Sequence, residues 1–198
     1  SLMDGGRDIK TKSQVKFRHF LSAVIKEPLS IGAIAPSSPY LAKYLIEGIR
    51  PGSRVIELGA GTGIVTQAIL EAGVEPKDLI ALEQNGDFAD LLKERFPNII
   101  VAKANALELK NHIGALDAPP DFVISGLPLM LFTMKQKTRL ISQAFEVLGP
   151  SGFFHQFTYG GKCPVERSIL DLIGLKATFL KLALLNLPPA FVYRLERR

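Results

Sequence analysis

The chain has little cysteine and no long apolar run, and both shortages limit what it can be. Its 198 residues include one cysteine, Cys163, so no disulfide can form within the chain and no cysteine-based metal site can be assembled. No apolar segment reaches the roughly 18 to 20 residues needed to cross a bilayer, and no apolar stretch at the N-terminus leads to a signal cleavage site. We therefore expect a cytoplasmic protein that neither spans a membrane nor is secreted, and the sequence predicts no metal site.

Basic residues outnumber acidic residues. Lys and Arg together number 24 against 19 for Asp and Glu, which gives a formal net charge of +5. This sign favours an anionic partner, but it does not distinguish a nucleic acid from a lipid headgroup or a metabolite. The length and the 47% content of hydrophobic residues fit one α/β domain with a single core. We expect a disordered N-terminus over residues 1–13 and one domain over residues 14–198.

Short β-branched runs alternate with longer helical patterns from residue 53 onward. Strands are predicted at Arg54–Leu58, Leu79–Leu82, Ile99–Ala102, Phe122–Ser125 and Phe153–Thr158. Helices are predicted at Ile64–Ala72, Asp87–Arg95, Ala106–Ile113, Lys135–Leu148 and Val165–Ile173. This alternation predicts parallel strands that are joined by right-handed crossovers.

Two further strands are predicted near the end of the chain, at Lys176–Leu185 and Phe191–Glu196. Only residues 186–190 separate them, and so short a link permits an antiparallel hairpin but not a parallel crossover. The predicted fold is therefore α/β, with a doubly wound, Rossmann-like sheet of seven strands whose last strand is antiparallel.

A strand that runs into a glycine-rich turn and then a helix is the most informative segment, Val55-Ile56-Glu57-Leu58-Gly59-Ala60-Gly61-Thr62-Gly63. Glycines remove side chains where the backbone turns sharply and a ligand must come close, and the following helix offers free N–H groups. Glu83 ends the next strand, where a carboxylate can accept hydrogen bonds from the ribose hydroxyls of an adenosine. The segment predicts a nucleoside site; the alternative is a glycine-rich turn that binds nothing.

The glycine spacing distinguishes two classes of nucleoside-binding enzyme. Dinucleotide enzymes would place the third glycine at position 64, but Ile64 is there and the glycine is Gly63. The pattern resembles instead the first motif of S-adenosylmethionine-dependent methyltransferases. That resemblance implies S-adenosylmethionine as cofactor, a class I methyltransferase sheet, and a role for Glu57 at the methionine amino group and for Glu83 at the ribose. The candidate cofactor residues are Glu57, Gly59, Ala60, Gly61, Thr62, Gly63, Glu83, Gln84, Asn105, Ala106 and Ser125.

Two later segments extend the resemblance. Asn105 follows the third strand, where many methyltransferases carry an acid or amide that meets the adenine amino group, although asparagine is also a common loop residue. Ser125-Gly126-Leu127-Pro128-Leu129-Met130 follows the fourth strand, where the methyl acceptor is usually held. In rRNA adenine dimethylases this segment reads Asn-Leu-Pro-Tyr, and the amide and aromatic that contact a flipped base are both missing here. A nucleic-acid acceptor is therefore the weaker expectation.

From about Phe20 to Arg198 the chain resembles bacterial phospholipid N-methyltransferases, which are related to the rRNA adenine dimethylases and methylate phosphatidylethanolamine. The segments that carry the resemblance are Ile31–Ser38, the glycine loop, Ser125–Leu129, Thr158–Gly160 and Asn186–Arg194. Asn105 departs from the aspartate that is usual in that family. The resemblance implies methylation of the ethanolamine amine, and the alternatives are methylation of RNA adenine or a small-molecule amine, or a non-catalytic nucleoside- or membrane-binding module.

An amphipathic helix is predicted over residues 14–27, before Pro28. At helical spacing from Lys12 to Lys26, one arc is apolar, with Phe17, Phe20, Leu21, Val24 and Ile25, and the other is basic, with Lys12, Lys16, Arg18, His19 and Lys26. Such a helix can lie in the interface of an anionic membrane, or it can simply pack on the domain. We expect peripheral association with an anionic membrane surface that holds the phospholipid substrate, and no protein partner is implied.

The chemistry requires alignment more than a strong base. An aliphatic amine arrives protonated, and desolvation beside a cationic sulfonium lowers its pKa. Tyr40, Tyr159 and Ser125 are the candidate catalytic side chains, although a tyrosine in either position is more often a half-buried packing residue. His155 is predicted to be structural. The lipid phosphate could be contacted by Arg194, Arg197 or Lys162. The loop at residues 35–40 is predicted to close over the cofactor.

Overall fold

The structure is a computed structural model that describes residues 38–186 and 188–198. The predictions for the disordered residues 1–13, for the helix at 14–27, and for most of the segments 31–38 and 35–40 lie outside the described residues.

One sheet of seven strands organises the described part of the chain. The strands are β1 Val55–Leu58, β2 Leu79–Leu82, β3 Ile100–Ala102, β4 Phe122–Ser125, β5 Phe153–Thr158, β6 Leu175–Ala183 and β7 Ala190–Arg197. Their order across the sheet is β3-β2-β1-β4-β5-β7-β6. The first five strands are parallel, and β7 is antiparallel to both of its neighbours. This arrangement confirms the predicted doubly wound α/β fold with an antiparallel last strand.

In the described part of the chain, five α-helices cover the two faces of the sheet. They are α1 Pro39–Leu45, α2 Ile64–Glu71, α3 Gly86–Arg95, α4 Met134–Val147 and α5 Arg167–Ile173. The helices α1, α2 and α3 contribute Leu41, Ile69 and Leu92 to one apolar cluster, whereas α4 and α5 contribute Leu140 and Ile169 to the other. Strand residues alternate between the two clusters, as the period of two in a strand requires.

The helix predicted at Ala106–Ile113 is shorter than predicted and is not a regular α-helix. The structure has a 3₁₀ stretch at Ala106–Asn111, and Glu108 in its middle has non-helical angles (φ −114°, ψ 19°). Leu107 and Leu109 are both buried in the same core cluster. On a regular α-helix these two residues would point to nearly opposite sides, so a kink is needed for both to reach the core.

The direction of the strands defines the edge where a site can form. The strands β2 and β4 flank β1, so the chain leaves β1 toward α2 on one face and leaves β4 toward α4 on the other. Open α/β sheets bind ligands at such a divergence, beyond the carboxyl ends of the parallel strands. Among the described residues, no helix is long and apolar enough to cross a membrane.

Candidate active site

The turn after β1 adopts a conformation that only glycine accepts easily. Gly59, Gly61 and Gly63 have φ angles of 67°, 55° and 92°, in the left-handed region where a Cβ is strained. A Cβ added at Gly63 would also lie 2.7 Å from Cε2 of Phe96. The three glycines therefore keep the backbone of this loop bare at the carboxyl end of β1.

The first turn of α2 follows the glycine loop directly. Gly63 is the N-cap residue of α2, and no side chain among residues 38–186 and 188–198 caps the helix. The first N–H groups of a helix have no intrahelical acceptor and carry the positive end of the helix dipole. Beside the bare glycine loop, these donors are available to a carboxylate.

Glu57 is a buried carboxyl group beneath this loop. Its side chain lies on β1, is 2% exposed, and accepts a hydrogen bond of 2.5 Å from Oγ1 of Thr66 in the first turn of α2. Burial raises the pKa of Glu57 to about 8, although the Thr66 hydroxyl lowers it and the charge of Glu83 raises it further. Glu57 therefore connects β1 to α2 and is largely protonated at neutral pH.

Glu83 connects the end of β2 to the glycine loop. Its Oε2 accepts a hydrogen bond of 3.0 Å from the Gly61 N–H, and its Oε1 accepts one of 3.0 Å from the Asn85 N–H. Burial raises the pKa of Glu83, whereas the two backbone hydrogen bonds lower it. A carboxylate offers about four lone-pair positions, so hydroxyl donors can still bind it. Gln84 follows and is exposed.

Asn105 has a structural role as well as a position near the carboxyl edge. Its Oδ1 accepts a hydrogen bond of 2.9 Å from the Leu107 N–H and so caps the 3₁₀ stretch after β3. The same oxygen would be needed to accept from an adenine amino group. The side chain is half-buried, and the next residue, Ala106, is buried.

Ser125 ends β4 at the centre of the carboxyl edge. It lies in register with Leu58 of β1 on one side and with Gln156 of β5 on the other. Its hydroxyl is buried and accepts a hydrogen bond of 3.3 Å from the Leu127 N–H. The Gly126 N–H donates to the Leu58 carbonyl at 2.9 Å, which fixes the start of the segment after β4 beside the glycine loop.

Similarity to known proteins agrees with this geometry. A family model described as "Methyltransferase domain" matches residues 55–152. An ornithine lipid N-methyltransferase from Singulisphaera acidiphila is 37% identical over 147 residues, which cover 70% of this chain and 76% of that protein. The chain belongs to the S-adenosylmethionine-dependent methyltransferases.

Solved structures agree with this methyltransferase in fold. A TehB-like S-adenosylmethionine-dependent methyltransferase from Corynebacterium glutamicum has a TM-score of 0.62 at 13% identity, over 96% of this chain and all of that one. The magnesium protoporphyrin IX methyltransferase from Synechocystis, solved with its cofactor bound, has a TM-score of 0.58 at 12% identity, over 80% of this chain and 76% of that one. The cofactor of this methyltransferase is S-adenosylmethionine.

The two candidate catalytic tyrosines differ in environment. Burial raises the pKa of Tyr159 to about 12, although the side chain of Asn186 hydrogen-bonds it and lowers that value. The Tyr159 ring also packs edge-on against Phe157, with ring centres 5.4 Å apart. Tyr159 is therefore neutral and cannot act as a base at neutral pH. Tyr40 is exposed near the start of α1, where its N–H donates to the N-cap hydroxyl of Ser38.

His155 is a neutral, structural residue of β5 in this methyltransferase. Its Nδ1 lies 2.7 Å from the Leu45 carbonyl, and Nε of Arg194 donates to its Nε2 at 3.0 Å. Burial lowers the pKa of His155 to about 4. The positive charge of Arg194 lowers it further, whereas the hydrogen bond to the Leu45 carbonyl raises it. Because the ring is neutral and holds α1 to the sheet, His155 needs no catalytic role.

The suggested contact of Arg194 or Arg197 with the lipid phosphate is wrong. The guanidinium of Arg194 stacks over the Phe153 ring at 3.9 Å and lines a cavity with residues that precede β1, β4 and β5. Arg197 donates to the carbonyl of Gly149, just before β5. Both side chains therefore lie toward the amino edge of the sheet, away from the glycine loop. Lys162, which follows β5, remains exposed at the carboxyl edge.

Sequence reasoning missed Gln156. Its side chain is 1% exposed, and its Nε2 donates to the carbonyls of Leu127 at 2.7 Å and Phe157 at 2.9 Å. Its Oε1 is buried and accepts no hydrogen bond from the part of the chain that the structure describes. The signal in the sequence is a glutamine inside a short, mostly aromatic strand, Phe-Phe-His-Gln-Phe-Thr.

Proposed function

We propose that this methyltransferase methylates the amine of a membrane lipid, with phosphatidylethanolamine as the first candidate acceptor. The observation that carries the proposal is the similarity to a protein named ornithine lipid N-methyltransferase, which spans most of both chains. Ornithine and ethanolamine both offer an aliphatic amine. The segments at 125–129 and 186–194 resemble those of bacterial phospholipid N-methyltransferases, and this resemblance favours ethanolamine.

The cofactor would be held at the carboxyl edge by groups that are already arranged there. The bare loop at 59–63 and the uncapped N–H groups of α2 fit the methionine carboxylate. The remaining lone pairs of Glu83 fit the ribose hydroxyls, with Gln84, Asn105, Ala106 and Ser125 around the nucleoside. Once bound, S-adenosylmethionine supplies an electrophilic methyl group on a sulfonium.

The acceptor amine must reach the site without its ammonium proton. The acceptor resembles a lysine amine, whose reference pKa is ~10.4, and the buried side chains of Leu127 and Leu129 make the surroundings apolar. Burial disfavours the charged form, so the proton can leave to water as the headgroup enters. Tyr159, with a pKa of about 12, is unsuited to accept that proton. The residues of this site would align the amine and exclude water rather than act as a strong base.

The carboxyl edge also has a surface that suits a lipid interface. The segments at 126–139 and 159–165 contain no Asp or Glu, but they contain the exposed cations Lys135, Arg139 and Lys162, whereas Lys137 is buried and paired with Glu166. The turn after β6 reaches the same edge, because β6 runs in the direction of β5. The segments after β4 and β6 carry exposed large apolar residues, namely Met130, Leu131, Met134, Leu184 and Leu185. Apolar side chains beside unopposed cations favour an anionic membrane surface.

Turnover of labelled S-adenosylmethionine tests the proposal. The full chain is mixed with anionic vesicles that contain phosphatidylethanolamine, and with RNA and soluble amines as parallel acceptors. Label should appear in the lipid fraction. Label in RNA or in a soluble amine, with none in lipid, would overturn the proposal.

A further inference from the structure

Gln156 has an amide oxygen that the fold buries without using. In the described part of the chain its Oε1 has no hydrogen-bond partner, whereas its Nε2 is fully engaged by two carbonyls. A buried carbonyl oxygen without a donor costs free energy, so such a group is usually completed by water or a ligand. The two carbonyls fix the amide, so its oxygen cannot simply rotate away.

The position of this amide coincides with the expected place of the acceptor. Gln156 lies in register with Ser125 at the carboxyl edge, and its Nε2 binds the carbonyl of Leu127 in the segment after β4. That segment lacks the amide and the aromatic residue with which adenine dimethylases contact their acceptor. The neighbouring strand therefore brings an amide oxygen to a segment that has none of its own.

We infer that Oε1 of Gln156 accepts a hydrogen bond from the N–H of the lipid amine and so orients the amine for methylation. The inference rests on the proposed function. In the step itself, the amine lone pair forms the new N–C bond while the S–C bond of the cofactor breaks, and the sulfur keeps that electron pair. The ammonium proton has left to water beforehand, because an amide oxygen is too weak a base to take it. Gln156 acts by binding and orienting the amine.

The geometry has a consequence for successive methylations. A neutral primary or secondary amine still has an N–H that can bind Oε1, but a neutral tertiary amine has none. Gln156 therefore assists the transfers that start from the unmethylated and monomethylated lipid. It does not assist a transfer that starts from the dimethylated lipid.

Binding of short-chain soluble lipids provides a test that does not depend on turnover. The parent protein should bind a phosphatidylethanolamine more tightly than the matching phosphatidylcholine, whose nitrogen has no N–H. Gln156→Met removes the oxygen at similar volume and should reduce this preference by about tenfold, the scale of one lost hydrogen bond. Gln156→Asn shortens the side chain by one methylene and should reduce the preference for phosphatidylethanolamine partially. This second variant is used if Gln156→Met does not fold.

Gln143 offers a matched control. It is also buried, at 7% exposure, but both ends of its amide have partners: its Nε2 donates to the Leu107 carbonyl, and its Oε1 accepts from the Lys110 N–H. Gln143→Met should lower the melting temperature and leave the headgroup preference unchanged. Gln156→Glu, which keeps an acceptor oxygen and is expected to be protonated by burial, should retain most of the preference.

Turnover on separate lipids gives the second measurement. The ratio of kcat/KM for the unmethylated lipid to that for the dimethylated lipid should fall about tenfold in Gln156→Met. An unchanged headgroup preference together with an unchanged ratio would overturn the inference. Oε1 of Gln156 would then accept a hydrogen bond from a buried water and not from the lipid amine. The proposed function fails separately, when the parent protein methylates no lipid amine at all.

Discussion

Replacing Glu57 by glutamine tests the electrostatics of the site most directly. The carboxyl group of Glu57 is buried beside Thr66, and its pKa is raised from 4.5 to about 8. Between these two values the folded chain keeps the proton while the unfolded chain releases it. The contribution of Glu57 to stability is therefore highest below about pH 4.5 and is lost as the pH rises through about 8. A glutamine has no such dependence.

The magnitude follows from the size of the rise. At about 1.4 kcal/mol per pH unit, a rise from 4.5 to about 8 corresponds to roughly 5 kcal/mol when no relaxation occurs. Most of this change falls between pH 5 and pH 8, and local rearrangement reduces it, so we expect Glu57→Gln to gain about 2 to 3.5 kcal/mol of unfolding free energy relative to the parent across that window. Other titrating groups, including Glu83, contribute to both proteins and largely cancel in the difference.

Urea unfolding of both proteins at pH 5, 6, 7 and 8, without added cofactor, provides the measurement. The difference in unfolding free energy should change steadily in favour of the variant as the pH rises. Glu94→Gln, at an exposed position of α3, controls for the loss of a carboxyl group in general. A difference between Glu57→Gln and the parent that stays constant from pH 5 to pH 8 would refute the assignment of a raised pKa to Glu57.

Three further outcomes are expected. Glu83→Ala should weaken S-adenosylmethionine binding by about 1 to 3 kcal/mol, and calorimetry with unchanged affinity would remove Glu83 from the site. Gly63→Ala should lower the melting temperature, because its Cβ would overlap Phe96 and the φ angle of 92° is strained, and an unchanged temperature would contradict this. Reversing three charges of the N-terminal segment should reduce cosedimentation with anionic vesicles, and binding equal to that of the parent would contradict a membrane role for residues 12–26. The three substitutions are Lys12→Glu, Lys16→Glu and Lys26→Glu.

The glycine loop and the strand sequence could be predicted because both are local. Glycines at 59, 61 and 63 reflect backbone angles that the residue itself determines, and β-branched runs reflect burial on both faces of a parallel sheet. The kink at Glu108 could not be predicted in the same way. It depends on the core that receives Leu107 and Leu109, and this core is built from distant parts of the chain.

The roles of single side chains at the edges of the sheet were harder to predict. Arg194 lies near the end of the chain, and its sequence position does not reveal that β7 is antiparallel and carries it toward the amino edge. Asn105 was selected for its position after β3, but its cap on the Leu107 N–H depends on the 3₁₀ turn that follows. Gln156 was overlooked because a glutamine in a strand has no pattern of its own, and its partner Leu127 belongs to another strand connection.

The two halves of the carboxyl edge differ in charge, and this difference connects the cofactor with the acceptor. The segments after β2 and β3 carry Glu83, Asp87 and Glu108, and their lysines Lys103 and Lys110 are paired with Asp90 and Glu146, whereas the segments at 126–139 and 159–165 carry no acid. S-adenosylmethionine is cationic at its sulfonium, so acidic residues suit the half that would hold it. A headgroup phosphate is anionic, so the acid-free half with Lys135 and Lys162 suits the lipid. The same division would bring the lipid amine to Ser125 and Gln156, at the boundary between the two halves.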